Sequence, residues 1–416
     1  MQKHSASHIG IMRTTSALIS VALSVITALP LATASAREAS PTVEVRSDKT
    51  ITTGRMLAQG KERGTLLDRV GRLHDIDLNS AKLKPLNGSF QVLPTTEIRN
   101  QLAREFGKNF EIAATRHYLV VATNGRAANY AAVFEDQYAT LQRYFKTRGF
   151  ALSDPEFPLV AIVFPDHKQF TNYAQADNAK SMTGMLGYYS PRTNRVALFE
   201  SPAKSVAVST SDQHARFPFF EQRSEIVPFN EEQHLDRKSL PLGRRSLIYG
   251  SNQGDLKSTM IHEATHQIAY NIGLHSRVGE TPRWVVEGMA TVFEPDGVRD
   301  SSAGWTAKQR INRDRYLSFQ NYAKTRRAAK SLKTFIESDS LYESAVLDFY
   351  AQSWALSFFL VETRPRQYAT YLKCISARDP FATYPAKERT ADFKESFQVE
   401  FDLLDAQFLR YIDGLK

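Results

Sequence analysis

The chain has 416 residues, of which 42% are hydrophobic and 23% charged, the profile of an ordinary globular protein long enough for two packed subdomains. These proportions argue against disorder throughout and against a protein that crosses a membrane many times. The formal net charge of +9 suits surroundings rich in anionic polymer or lipid and says nothing about the fold.

Residues 1–36 read as an export signal. Lys3 and Arg13 precede the short apolar run Ala17 to Ile26, Leu29-Pro30 breaks it, and Ala34-Ser35-Ala36 offers the small-residue pattern of a cleavage site. The run is shorter than the roughly 20 residues that span a bilayer. Cleavage would remove two bases and no acid, taking the charge from +9 to +7, and would leave no transmembrane anchor. The single cysteine, Cys374, excludes an intrachain disulfide and a multi-cysteine metal site. Export without disulfides fits the bacterial periplasm, or secretion, and Cys374 is expected to be buried packing.

Residues 37–94 are polar, with glycines and little periodicity, and are expected to be a peripheral or poorly ordered lead-in. A mixed αβ subdomain over 95–300 follows. It holds a helix around 96–106, a strand at Tyr118–Ala122, a long helix around 127–147, and a strand at Leu159–Phe164 that is apolar on both faces and so buried. Asp166 can cap the next helix. Gly187–Ser190 and Arg195–Phe199 flank Pro191-Arg192-Thr193-Asn194 as a β-hairpin. Residues 201–254 show no period and are read as an irregular insertion. Residues 301–416 form a helical C-terminal subdomain.

His262-Glu263-Ala264-Thr265-His266 is an H-E-x-x-H pattern. On a helix, residues four apart face the same way, so both imidazoles can hold one metal ion. Met260, Ile261, Ala264, Ile268 and Ile272 supply the apolar flank of such a helix; Asp255 or Ser258 can start it and Gly273 can end it. Thr281 and Pro282 then open a second helix, as N-cap and first residue, and Pro295 prevents its continuation. Glu287 lies one turn inside it and offers an oxygen ligand. Gly288 permits close approach of a neighbouring helix. Three protein ligands leave a position open for water, the arrangement of a catalytic site.

H-E-x-x-H followed by Trp284-Val285-Val286-Glu287-Gly288-Met289-Ala290 resembles the gluzincins, the thermolysin-like and leucyl-aminopeptidase-like metallopeptidases. With Gly187-Tyr188-Tyr189 upstream and Tyr350-Ala351-Gln352-Ser353-Trp354 downstream, the wider pattern is similar to an uncharacterised bacterial family of exported peptidase-like proteins, over roughly residues 110–365. The resemblance implies Zn2+ on His262, His266 and Glu287, Glu263 as general base, and a peptide or protein substrate. It further implies that Glu294 orients a metal-bound histidine, although a surface carboxylate near a helix end would read the same way. Tyr350, by the same resemblance, stabilises the oxyanion; its surroundings are equally those of a buried helical core. The family's G-x-M-E-N amine anchor has no counterpart: Gly184 to Tyr189 carries no acid. Cleavage within a chain is therefore expected, with the 184–200 hairpin as the strand that receives substrate.

Two further stretches read as scaffold. His275 could meet substrate, but a solvent-exposed loop histidine is the commoner outcome, and the basic stretch Lys308 to Lys333 reads as a solvated helix face, with no nucleic acid expected. Together these features predict an α+β, zincin-like fold: a small mixed sheet with helices, an active-site helix, and a mainly helical C-terminal half. The expected activity is zinc-dependent peptide hydrolysis by an endopeptidase-like enzyme. The alternatives are a zinc hydrolase of a non-peptide amide in the cell envelope and a non-catalytic envelope protein that keeps the fold.

Overall fold

The computed structural model describes residues 40–47, 50–179, 186–200, 256–299 and 306–415. The expected export signal over residues 1–36 and the expected 201–254 insertion lie outside them. The fold is α+β, with two small sheets in the N-terminal half and a mainly helical C-terminal half.

The lead-in forms a sheet, which corrects the expectation of poor order. Strands β1 (Pro41–Ser47), β2 (Thr50–Gln59), β3 (Arg63–Asp68), β4 (Leu73–Asp77) and β5 (Lys82–Ser89) pair antiparallel in the order β4-β3-β2-β1-β5. Its core is thin. Val43, Val45, Leu66 and Ile76 cover one face, while Leu67 and Leu73 meet Phe90 and Phe157 on the other. No strand hides more than two apolar side chains in its polar sequence, and β2 and β5 fully bury none, so the period-two signal is diluted. Half-buried Arg277 fastens this sheet to the next by donating to Gly71 O (2.7 Å) and Pro191 O (2.7 Å).

The second sheet comprises β6 (Phe110–Ala114), β7 (Tyr118–Thr123), β8 (Leu159–Phe164), β9 (Gly187–Ser190) and β10 (Arg195–Phe199), in the order β6-β7-β8-β10-β9. β7, β8 and β10 run parallel; β6 and β9 are antiparallel edges. Alternate residues of β8 separate two layers of core. Leu159, Ala161 and Val163 face α2 (Ala127–Lys146), and Val160, Ile162 and Phe164 face α1 (Thr95–Phe106) and α3 (His167–Ala176). Asp166 caps α3, accepting from Gln169 N at 2.9 Å.

The helical half runs α4 (Leu256–Asn271), α5 (Arg283–Phe293), α6 (Asp296–Arg299), α7 (Arg313–Thr325), α8 (Leu332–Glu337), α9 (Ser340–Ser344), α10 (Val346–Thr363), α11 (Pro365–Ser376), α12 (Ala386–Phe397) and α13 (Phe401–Asp413). α10 is its axis: every residue from Phe349 to Val361 is buried, as for a helix enclosed on all sides. Among the described residues, no helix is long and apolar enough to cross a membrane. Cys374 is exposed on α11 rather than buried; the apolar stripe of that helix runs through Tyr368, Tyr371, Leu372 and Ile375, leaving Cys374 to one side.

Candidate metal centre

α4 packs beneath the second sheet with eleven consecutive buried residues, Thr259 to Ala269. A helix with His262, Glu263, His266 and Gln267 all buried must find partners for them. Gln267 donates to Val160 O (3.0 Å) and Asn194 O (2.8 Å), fixing the helix to β8 and to the hairpin turn. Asn194, in the left-handed conformation at φ 58°, bonds Asn271 and accepts from the Tyr189 hydroxyl. Gln137 of α2 donates to Thr265 Oγ1 (2.8 Å). On the opposite side Gly187 lets the edge strand β9 close on α4, since a Cβ there would lie 3.1 Å from Thr259 Cγ2. Gly273, at φ 89°, ends the helix as expected.

α5 starts at Arg283 with Pro282, not Thr281, in the N-cap position. It carries Glu287 against α4 and Gly288 against α10. A Cβ on Gly288 would fall 2.4 Å from Ser353 O and 2.2 Å from Ser357 Oγ, so glycine is what permits this approach.

His262, His266 and Glu287 converge with one ligand atom each, all within 4.8 Å of one another, and each is at most 1% exposed. His262 Nε2 is 3.4 Å and His266 Nε2 3.7 Å from Glu287 Oε2. Ligands at the usual bond lengths around a tetrahedral zinc sit about 3.4 Å apart. Among the described residues, His262 Nε2 and Glu287 Oε2 have no well-formed hydrogen bond; two imidazoles and a carboxylate aimed at one point are the donor set of a divalent cation. The trio could therefore hold a metal ion.

Glu263 is fully buried beside the trio. Burial and the Glu287 charge favour its neutral acid, while His262 and the Tyr189 backbone of β9 favour the anion; the balance places its pKa at about 8. Burial also opposes a charged His262, but Glu287 and Glu294 outweigh it and push that ring up to about 10. His266 is held well below its ordinary value by burial and by its neighbours His262 and His275.

Glu294 lies at the end of α5 with Oε1 2.9 Å from His262 Nδ1. That contact gives His262 a proton on Nδ1 and turns Nε2 toward the centre. Glu294 is held in turn: Asn312 Nδ2 donates to its Oε2 at 2.7 Å, and Arg315 Nε stands 3.9 Å from the same oxygen. Tyr350 is buried on α10 (1% exposed). Burial, then the neighbouring Glu287, Tyr342 and Glu263, raise its hydroxyl pKa, with Arg315 opposing them. The Arg315 guanidinium lies 5.1 Å over its ring.

Residues 257–382 match the family described as Protein of unknown function (DUF1570). The DUF1570 segment holds His262, Glu263, His266, Glu287, Glu294 and Tyr350 together, and leaves the β9–β10 hairpin outside it. No curated protein matches the sequence.

Sequence reasoning did not single out Asn312, nor Arg315 within the basic stretch. That stretch is solvated only in part. Arg310 and Arg315 are buried, and Arg327 reaches Gln352 Oε1 (3.0 Å) and Asp405. Their acids lie far along the chain, so local charge pattern could not reveal them. His275 is buried as well (3% exposed): its backbone N–H caps α4 at Ala269 O (3.1 Å) and draws the ring in beside Tyr270, with centroids 5.1 Å apart. Desolvation lowers its pKa to about 4.

Proposed function

We propose that the chain is a zinc-dependent hydrolase of peptide bonds, endopeptidase-like in action and exported to the bacterial periplasm or beyond. The observation that carries this reading is the buried trio of His262, His266 and Glu287 with a second carboxyl group, Glu263, enclosed beside it. A structural zinc site is closed by four protein ligands, whereas three ligands next to a carboxylate suit hydrolysis. Bound zinc supplies Lewis acidity and a water acidified to a pKa of about 7.

The chain's own residues supply the rest. Glu263 accepts the proton of the attacking water and returns it to the leaving amine. The Tyr350 hydroxyl donates to the oxyanion that develops on the substrate carbonyl. Glu294 holds His262 in the tautomer that presents Nε2. β9 stands at the edge of the sheet formed by the described strands, next to β10, and is the strand that would take an extended peptide by strand addition. Its four residues, Gly187 to Ser190, include no acid to grip a free amine, which favours cleavage within a chain. The export part of the reading rests on residues 1–36.

Glu263→Gln tests the reaction. The variant should keep wild-type zinc content while hydrolysis of casein and of peptide libraries disappears, a loss of about 100-fold or more. Unchanged hydrolysis would sink the assignment of Glu263.

A further inference from the structure

Arg283 sits four residues before Glu287 on α5, hence on the same face one turn away. It is half-buried, and its guanidinium lies 4.0 Å over the Tyr342 ring. Its backbone N–H donates to Asp339 Oδ1 (3.2 Å), but among the described residues no carboxylate pairs with its side chain. Several buried arginines of the helical half do pair with carboxylates. Arg310 meets Glu362, Arg315 meets Glu294, Arg327 meets Asp405, and Arg389 meets Glu280 and Asp339.

The surroundings of Arg283 connect it to the metal centre. The Tyr342 ring beneath it lies 6.5 Å from the Tyr350 ring. Tyr270 lies one turn after His266 on α4; burial, Tyr189 and Glu287 raise its hydroxyl's pKa, and Arg283 pulls it down. Arg283 and Glu287 are thus felt by the same phenol. A half-buried guanidinium stacked on a ring is held in place while its N–H groups remain available, and a planar carboxylate is the group they match.

We propose that Arg283 is a specificity-determining residue that pairs with a carboxylate of the substrate close to the scissile bond. This inference rests on the peptide-hydrolase reading and narrows it to peptides carrying such a group. The carboxylate comes either from an Asp or Glu side chain or from the peptide's own C-terminus.

The test uses zinc-loaded Glu263→Gln protein, which binds peptides without turning them over, and reads dissociation constants by calorimetry. One arm compares short blocked alanine peptides carrying a single Glu at each position with twins carrying Gln. A second arm compares the all-alanine peptide with a free and with an amidated C-terminus. At least one carboxylate-bearing peptide should bind about tenfold or more tightly than its neutral twin. The arm in which this occurs names the source. Adding Arg283→Gln should make the twins bind alike, and Arg283→Lys, which keeps the charge without the fork, should keep only part of the preference. Circular dichroism and zinc content check that each variant is folded; should Arg283→Gln fail to fold, the Lys variant alone carries the comparison. Twins that bind alike with Arg283 in place, or a preference that survives both substitutions in full, would overturn the inference and leave the peptide reading standing. Binding of no peptide in either arm, together with no cleavage by the zinc-loaded wild type, would overturn both.

Discussion

Near its C-terminal end, α10 presents Glu362 to Arg148 (2.6 Å), Arg310 and the Tyr144 hydroxyl (2.8 Å). Near its start the same helix carries buried Tyr350, whose hydroxyl feels the charges of Glu287 and Glu263. Both regions bury charge, but on different terms. Around Glu362 both carboxylate oxygens accept hydrogen bonds, from two guanidiniums and a hydroxyl, so the buried anion is fully partnered. Around Glu287, among the described residues, His262 Nε2 and Glu287 Oε2 converge with His266 on a common centre without a well-formed hydrogen bond of their own. Satisfied buried charge holds helices together, whereas buried ligand atoms that converge on one point mark a place for a ligand.

The contrast can be broken by exchanging the losses. Glu362→Ala should destabilise the fold by about 3–5 kcal/mol, because it strands two guanidiniums, yet leave metal stoichiometry intact in the protein that remains folded; urea denaturation and metal analysis read the two effects separately. A matching loss of metal would mean that the two regions are not independent. The pH dependence sharpens the same point. Burial alone would raise the Glu362 pKa, but Arg310, Arg148 and Tyr144 more than offset it and hold the group below its ordinary range. Its stabilisation is therefore complete above the unfolded carboxylate pKa of about 4.3 and is lost as pH falls through the folded value. The gap in urea midpoint between wild type and Glu362→Gln should close on acidification.

Glu294→Ala should have the smaller global effect and the more local one. Removing the partner of His262 Nδ1 should weaken metal binding by about 10–100-fold, with a smaller fall in urea midpoint on metal-free protein than Glu362→Ala gives. Wild-type metal affinity in this variant would reduce Glu294 to a helix-end carboxylate.

Legibility from sequence follows the same division. His262, Glu263 and His266 could be placed because one helical turn fixes their relation, and the Asp166 cap and the buried strand β8 are equally local signals. Glu287 needed the resemblance as well as the proline and glycine around it, and Glu294 needed the fold, since only packing brings it to His262 across 32 residues. The first sheet escaped because its strands each bury so little. The arginines at 310, 315 and 327 escaped because their partners lie elsewhere: Glu362 and Asp405 come 52 and 78 residues later. His275 showed no periodicity that would announce burial; its place is set by the turn that ends α4.

The central claim is that His262, His266 and Glu287 hold one metal ion, taken to be zinc. Elemental analysis of the purified protein, wild type beside His262→Ala, tests it most directly. The account predicts about one zinc per folded wild-type chain and a loss of nearly all of it in the variant. Folded wild type without stoichiometric metal, or a variant that retains it, would contradict the account.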